Sequence, residues 1–396
     1  MASKHEEVTV SVHTSITEIP SAEWDACAGP VNPTLSYTFL QAMEESGSAT
    51  KRTGWAPQHL SVADDAGRII GVVPMYLKSH SYGEYVFDYG WADAYERAGG
   101  RYYPKALAAV PFTPVPGPRL LVAPDAPTDT KAKLIAGLVE FTRQRGISSL
   151  HINFPEDAEA ETLFEAGFLK RMGQQFHWAN EGYKTFDDYL AALNSRKRKA
   201  VKKERREAMA PGLEIDVLTG ADLQPKHWDA FYRFYLATSD RKWGSAYLNR
   251  KFFALIGERM ADKIVLVMAR HRGEFVAGAF NILGTETIYG RNWGSYGDYK
   301  MLHFECCYYR AIEFAIDHGL KRVEAGAQGP HKLQRGYLPA PTYSAHYIPD
   351  PNFRRAVAQF LARERDMVEQ KIEHLTEHYS PFRHTDGDHN REAAED

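Results

Sequence analysis

Apolar and polar residues alternate through HLSVADDAGRIIGVVPMYL, from His59 to Leu77, and again through IVLVMARHRGEFVAGAFNIL, from Ile264 to Leu283. In both stretches a period of two is interrupted by a short polar turn containing Gly, which predicts a β-hairpin. Leu60, Val62, Ala63, Gly67, Ile70, Gly71 and Leu77 stand 206 residues before Leu266, Met268, Ala269, Gly273, Val276, Ala277 and Leu283, so the hairpin occurs twice. Further along, LVEFTRQRG ending at Gly146 matches AIEFAIDHG ending at Gly319 at an offset of 173. Each predicts a helix stopped by a C-terminal Gly. Strands follow at 149–154 and 322–327. At an offset of 169, Gly167, Phe168, Leu169, His177 and Trp178 then match Gly336, Tyr337, Leu338, His346 and Tyr347. Three matches in one order describe a duplicated unit: hairpin, strand, helix, strand and a final aromatic strand.

The fall in offset from 206 to 173 gives the first copy 33 more residues between hairpin and helix, assigned to the aromatic and Pro-rich segment 86–121. The domains are expected at 1–182 and 183–378. The second opens with a helix from Thr185 to about Ala210, ended by Pro211 and Gly212, and closes with a helix capped by Asp350 and Pro351. Residues 379–396 are expected to be a disordered tail, since His384 to Asp396 carry no apolar run.

Composition narrows the class. Of 396 residues, 44% are hydrophobic and 25% charged, the values of a globular chain. No apolar stretch approaches the roughly 18 residues of a membrane span, and Met1 to Val10 do not resemble a secretory signal. Three cysteines, two of them adjacent, argue against a disulfide framework; a cytoplasmic location is expected. G-x-x-x-x-G-K-[ST], G-x-G-x-x-G, G-x-S-x-G, H-E-x-x-H and paired C-x-x-C are all missing from the sequence, which disfavours the common ATPases, dinucleotide enzymes, α/β-hydrolases and zinc sites. No metal and no bound cofactor are expected.

The densest polar segment is EAGAQGPHKLQRGY, Glu324 to Tyr337. In a strand Glu324, Gly326 and Gln328 share a face, small residues let a ligand approach the backbone, and His331, Lys332 and Arg335 offer donors to an anion or a developing oxyanion. The element order resembles the GNAT acyltransferase fold, and tandem copies resemble the Fem-type aminoacyl transferases. IDHGLKRVEAGAQGPHKLQRGYLPAPTYSAHYIPDP, Ile316 to Pro351, is similar to the signature of the Fem-like branch of predicted N-acyltransferases associated with peptidoglycan biosynthesis and recognition. The resemblance implies an α/β fold of two tandem GNAT-like domains, each a mixed central sheet flanked by helices. It gives Lys332 a contact on the acyl-donor side. It also places the pyrophosphate loop of GNAT enzymes, Q/R-x-x-G-x-G/A, at Arg291 to Tyr296, where Arg291 and Gly294 fit and Tyr296 replaces Gly or Ala.

Acyl transfer to an amine needs a base near the nucleophile and donors at the carbonyl oxygen. Glu305, Glu324 and His331 are the candidate bases, with Lys332 and Arg335 at the carbonyl; His303 is weighed with Glu305 at the start of the same apolar helix. Arg291, Trp293, His303, Gln328, Arg335 and Tyr337 are the candidates for binding substrate or donor. Glu305 has a second reading, as dipole complementation in a helical first turn. Cys306 lies three residues from His303, but an apolar helix suits a buried structural cysteine better than a reactive one. Within 196–206 stand eight cations and one acid, seven net charges in a chain whose total is −3. Like charges at i,i+4 are unfavourable unless a phosphate-rich partner relieves them, so Arg198, Lys202 and Arg205 are phosphate or RNA candidates; the other reading is a solvated helix face. Within the insertion, Glu84, Asp88, Trp91, Asp93 and Lys105 suit recognition of a polar acceptor, and equally a lid packed on the other domain.

The expected function is an N-acyltransferase that moves an acyl or aminoacyl group from acyl-CoA or aminoacyl-tRNA to an amine, such as a cell-wall precursor, acting as a monomer or homodimer through a ternary complex. The alternative of a different class is a non-catalytic binding module built on a duplicated acyltransferase fold.

Overall fold

A computed structural model describes residues 10–242, 246–326 and 329–383. The strands of the first half are β1 (Val10–His13), β2 (Trp55–Pro57), β3 (His59–Ala63), β4 (Ile69–Val73), β5 (Met75–Lys78), β6 (Lys105–Ala108), β7 (Leu121–Val122), β8 (Leu150–Asn153) and β9 (Leu169–Ala179). Those of the second are β10 (Leu213–Leu218), β11 (Ile264–His271), β12 (Glu274–Leu283), β13 (Thr287–Ser295), β14 (Arg322–Glu324) and β15 (Leu338–Tyr347). Among the described residues they form a four-stranded sheet, β1-β3-β4-β7, and an eleven-stranded sheet, β10-β11-β12-β13-β14-β9-β15-β8-β6-β5-β2.

Both expected hairpins are present, β3–β4 and β11–β12. They differ at one residue. Pro74 lacks an N–H for the ladder, and there the first copy breaks, β4 joining the small sheet and β5 the large one. The second copy has Ala and Phe through the same stretch and stays continuous as β12.

The helices Thr130–Gln144 and Arg310–Asp317 are the crossovers of their respective halves and bury matching positions: Leu138 and Phe141 in one, Ala311 and Phe314 in the other. A third core joins the halves, with Trp24, Phe39 and Phe112 packed among Phe231, Phe253 and Phe280.

Three expectations need correction. Segment 86–121 is not all insertion, because Lys105–Ala108 is β6, a full member of the large sheet parallel to β8; the added chain is concentrated between β5 and β6 and holds the helix Tyr89–Arg97. The helix expected from Thr185 to Ala210 is two, Phe186–Ala192 and Ser195–Met209, because Asn194 turns extended and caps the second by accepting from the Lys197 N–H. The closing helix runs from Pro351 to Tyr379, and Phe382 bridges to Leu193, so chain expected in the tail is part of the fold. Residues 384–396 lie outside the described residues.

The halves exchange their last strands. β9 of the first half pairs with β14 of the second, β15 of the second pairs with β8 of the first, and β9 and β15 pair with each other. The eleven-stranded sheet is therefore continuous across the molecule.

Candidate active site

The site forms where two parallel strands part. β13 pairs with β14 over three residues, Thr287–Tyr289 against Arg322–Glu324, while on its other edge it stays paired with β12 as far as Ser295. A register shift opposite Phe280 and Asn281 leaves Arg291 as an extra residue between Gly290 and Asn292, which bends the strand away from β14. The gap is a cavity of about 480 Å³. Arg291, Trp293, His303, Cys307, His331 and Lys332 are among the residues around it, so five sequence candidates and one unforeseen cysteine share one wall.

A π-helical turn, Glu305–Tyr309, interrupts the helix that borders the gap. The extra residue in such a turn re-aims neighbouring side chains. Cys306 points into the core with no exposure, its thiol pushed up by burial, whereas Cys307 borders the cavity. The adjacent cysteines were visible in the sequence; the π turn that assigns one to each side was not.

Lys332 is buried, its Nζ donating to the Gly326 carbonyl at 2.8 Å, and burial lowers its ammonium to about 8. His331 Nε2 lies 2.9 Å from the Tyr308 hydroxyl. Burial holds that phenol well above its usual range, so it stays protonated at neutral pH. The His303 ring packs 5.3 Å from Trp293 and 5.4 Å from Tyr308. Tyr337 is fully buried behind them, its hydroxyl donating to the Tyr308 carbonyl at 3.3 Å. Gln328 lies outside the described residues.

Two candidates are committed elsewhere. Glu305 accepts from Arg205 Nε at 3.1 Å and Nη2 at 3.0 Å and lies 2.8 Å from Arg310 Nε, so it anchors the basic helix and is not a base in the cleft. Arg335 makes a bidentate pair with Glu204 at 2.8 and 3.0 Å, and its guanidinium covers the Phe304 ring at 3.5 Å. Its Nη1 donates to the His331 carbonyl at 2.6 Å, so the guanidinium braces the cleft wall from within the protein.

The residues expected to form a pyrophosphate loop also require correction. Arg291 to Ser295 lie in β13, not in the loop that follows. Arg291 is half-buried and donates through Nη2 to the Phe112 carbonyl, joining the halves. A Cβ on Gly294 would meet the Phe234 carbonyl oxygen at 2.2 Å, so this glycine admits the backbone of the helix Pro225–Lys242.

Glu324 is only 3% exposed and sits across from His177 of β9, with 4.0 Å between Oε2 and Nε2. Burial raises its carboxyl to about 7, Arg322 opposing.

The basic helix presents two kinds of cation. Arg205 faces inward on Glu305 and Glu313 and stacks 4.5 Å from Phe186, which corrects its assignment to phosphate. Arg198 is half-buried, and Lys202 stands exposed beside Arg196, Lys199, Lys203 and Arg206. The helix packs on the segments Leu302–Tyr309 and Pro330–Arg335 that flank the cleft.

The first-half candidates divide as well. Lys105 is fully buried and donates to Ser81 at 2.7 Å, to Glu84 at 2.8 Å and to Asp88, while Tyr102 donates to Asp88 at 2.7 Å. Trp91 is buried edge-on to His346, and Asp93 is exposed, apart from the rest. The sequence grouped these residues, as an acceptor site or a packed lid; the structure buries four of them, Glu84, Asp88, Trp91 and Lys105, and the three charged ones pair with one another.

The profile of the FemAB-like family, described as peptidoglycan biosynthesis/recognition, matches residues 15–384. The chain belongs to the FemAB-like family. No curated protein matches the sequence. Among solved structures, this FemAB-like chain is similar to the C-terminal domain of a putative lysylphosphatidylglycerol synthetase from Agrobacterium fabrum, with a TM-score of 0.53, 10% identity and coverage of 88% of this chain and 97% of that one. FemX gives a TM-score of 0.53 at 12% identity, covering 88% and 100%. A conserved protein of unknown function from Bacteroides thetaiotaomicron gives 0.51 at 12%, covering 85% and 99%. At these identities the likeness is one of fold, and the fold of the FemAB-like chain is the tandem GNAT-like arrangement its sequence resembles. None of its helices, among the described residues, is long and apolar enough to cross a membrane.

Proposed function

We propose that this FemAB-like chain is an N-acyltransferase that carries an acyl or aminoacyl group to a primary amine, with chemistry in the gap between β13 and β14. The observation that supports this reading is the cavity itself, with buried Lys332 and the His331–Tyr308 pair along it. A carbonyl seated there meets the Lys332 ammonium, which stabilises charge as it develops on oxygen in a water-poor setting. His331 and protonated Tyr308 form a donor–acceptor pair able to move a proton at the departing group.

Of the two donors, aminoacyl-tRNA is favoured. The outward cations Arg196, Lys199, Lys202 and Arg206 lie on a helix packed against the cleft, whereas Arg291 and Gly294 serve internal contacts. The family description favours a peptidoglycan precursor as acceptor.

Differential scanning fluorimetry with charged tRNA, acetyl-CoA and a long acyl-CoA tests the donor, because a ligand of the native state raises the melting temperature. A rise with charged tRNA that is lost when Lys199, Lys202 and Arg206 are changed to Ala is the expected result. A rise with CoA esters alone would overturn the donor assignment. No rise with any donor, together with no transfer in a radiolabelled assay, would favour the binding-module reading.

A further inference from the structure

The duplication provides an internal comparison. Along the β9–β15 ladder Leu169 faces His346, Gly173 faces Thr342 and His177 faces Leu338. These strands match at an offset of 169, so Gly173 and Thr342 are counterparts that face each other, and a pseudo-twofold axis passes between them. A Cβ on Gly173 would lie 2.9 Å from the Thr342 hydroxyl, so the axis admits one side chain, not two. The same offset relates His177 to His346 and Gln175 to Ser344, and the offset of 173 relates His151 to Glu324.

Both copies build one motif from these counterparts. In each, the residue two before the histidine holds its Nε2: Gln175 Oε1 at 3.1 Å in one, Ser344 Oγ at 2.9 Å in the other. In each, the neighbouring strand places a side chain against the ring. The first copy is complete, because His151 Nδ1 meets His346 Nδ1 at 2.6 Å, His151 Nε2 meets Ser149 Oγ at 2.7 Å, and Trp91 covers the pair.

The second copy is incomplete. Glu324 is buried and neither of its oxygens accepts a hydrogen bond among the described residues. Arg322 Nε approaches Oε1 at 3.2 Å without the direction of a hydrogen bond, from a half-exposed position. His177 cannot fill the gap. The Gln175 amide donates to the Pro114 carbonyl at 2.9 Å, so its oxygen takes the His177 Nε2–H, and burial lowers the ring to about 3, which keeps it neutral. Tyr289, paired with Glu324 across the β13–β14 ladder, is a further titratable neighbour among the described residues. A carboxylate this deep without donors is held against its desolvation, which an N–H-bearing ligand would relieve. The cavity is lined by Gly290 and Ala325, the residues that follow Tyr289 and Glu324 where the two strands part, so the carboxylate lies one residue behind the cavity wall.

We propose that Glu324, faced by His177 of the exchanged strand, is the subsite that takes the primary ammonium group of the substrate. The subsite rests on the acyl-transfer reading for its role, and for its chemistry on a buried carboxylate that accepts no hydrogen bond among the described residues and has Arg322 as its one close cation there. It is unique to the second copy, because His151 stands in place of the carboxylate in the first.

The test is isothermal titration and fluorimetry of the full chain with ethylammonium, using tetramethylammonium as the cation without N–H. Wild type binds ethylammonium and not tetramethylammonium, and Glu324→Gln weakens it at least about tenfold. A second readout needs no variant: with the carboxyl titrating near 7, wild-type affinity rises about tenfold between pH 6 and 8. Equal binding by Glu324→Gln, equal binding of the two cations, or a flat pH profile overturns the subsite. Charged tRNA titrated into the same variant separates the two ideas. A retained donor response with a lost ammonium response supports the subsite, whereas an ammonium response through Glu324 in a chain that answers to no donor leaves the subsite standing and removes the transferase reading.

Discussion

Glu324 carries its proton higher than the unfolded chain does, and that difference has a sign. Its carboxyl titrates near 7 in the fold and near ~4.3 when exposed. Between those values the native state holds the extra proton, so stability falls as pH rises through the window. Glu324→Gln removes this contribution. Urea unfolding should show the variant more stable than wild type by about 1–3 kcal/mol at pH 8 and equal to it near pH 4; a variant weaker than wild type at pH 8 would refute the assignment. Lys105 gives the opposite case. Lys105→Met leaves Asp88 buried without its cation and Glu84 with only Lys78, 3.9 Å away, and a loss of about 3–5 kcal/mol is expected in the same measurement. The sequence named all of these residues. It did not show their partners, because Glu305 and Glu324 look alike in a string of letters, and only the fold gives one the hydrogen bonds of Arg205 and leaves the other with none, Arg322 lying 3.2 Å away.

Helix boundaries were legible where local chemistry sets them. Asp350 with Pro351 opens the closing helix as its sequence requires, and both crossover helices stop at Gly146 and Gly319. The break at Leu193 and Asn194 was not legible, since its stabilising contact comes from Phe382, far along the chain. The basic helix shows the same division between local pattern and remote partner. Its run of cations is plain in the sequence, but which of them are free to bind phosphate depends on Glu305 and Glu313, more than a hundred residues away or nearly so. Arg205→Ala should therefore lower stability by roughly 1–3 kcal/mol, because buried Glu305 loses both hydrogen bonds of Arg205 and keeps only Arg310. The pair Lys199→Ala and Lys202→Ala should change stability by less than about 0.5 kcal/mol each and reduce the salt dependence of tRNA binding by roughly 0.7–0.9 in log–log slope per lost phosphate contact. Chemical denaturation and a salt titration of tRNA affinity check the two together. A fall in stability with unchanged salt slope for the lysine pair would show that this face binds no polyanion.

At the scale of the molecule, the duplication was visible as three offsets, yet the exchange of final strands was not. A strand with the β9 pattern satisfies its hydrogen bonds against either copy of the preceding strand, so periodicity alone cannot choose between its own half and the other. The consequence is physical. A fragment 1–182 holds β9 without β14 or β15, and a fragment 183–396 holds β15 without β8 or β9. Each would expose long unpaired edges, which invite aggregation, and each would open the core in which Phe112 stacks 5.0 Å from Tyr247 and Phe39 packs 5.8 Å from Phe252. Neither fragment is expected to fold alone, the two co-expressed should restore a soluble complex, and the full chain should unfold in one cooperative transition by calorimetry and by tryptophan fluorescence together. A fragment 183–396 that unfolds cooperatively by itself, with two transitions in the full chain, would show that the exchanged strands are not required by either half. Were that so, His177 could not be relied on to reach Glu324, because the only strand that carries it across would be dispensable to the half it serves.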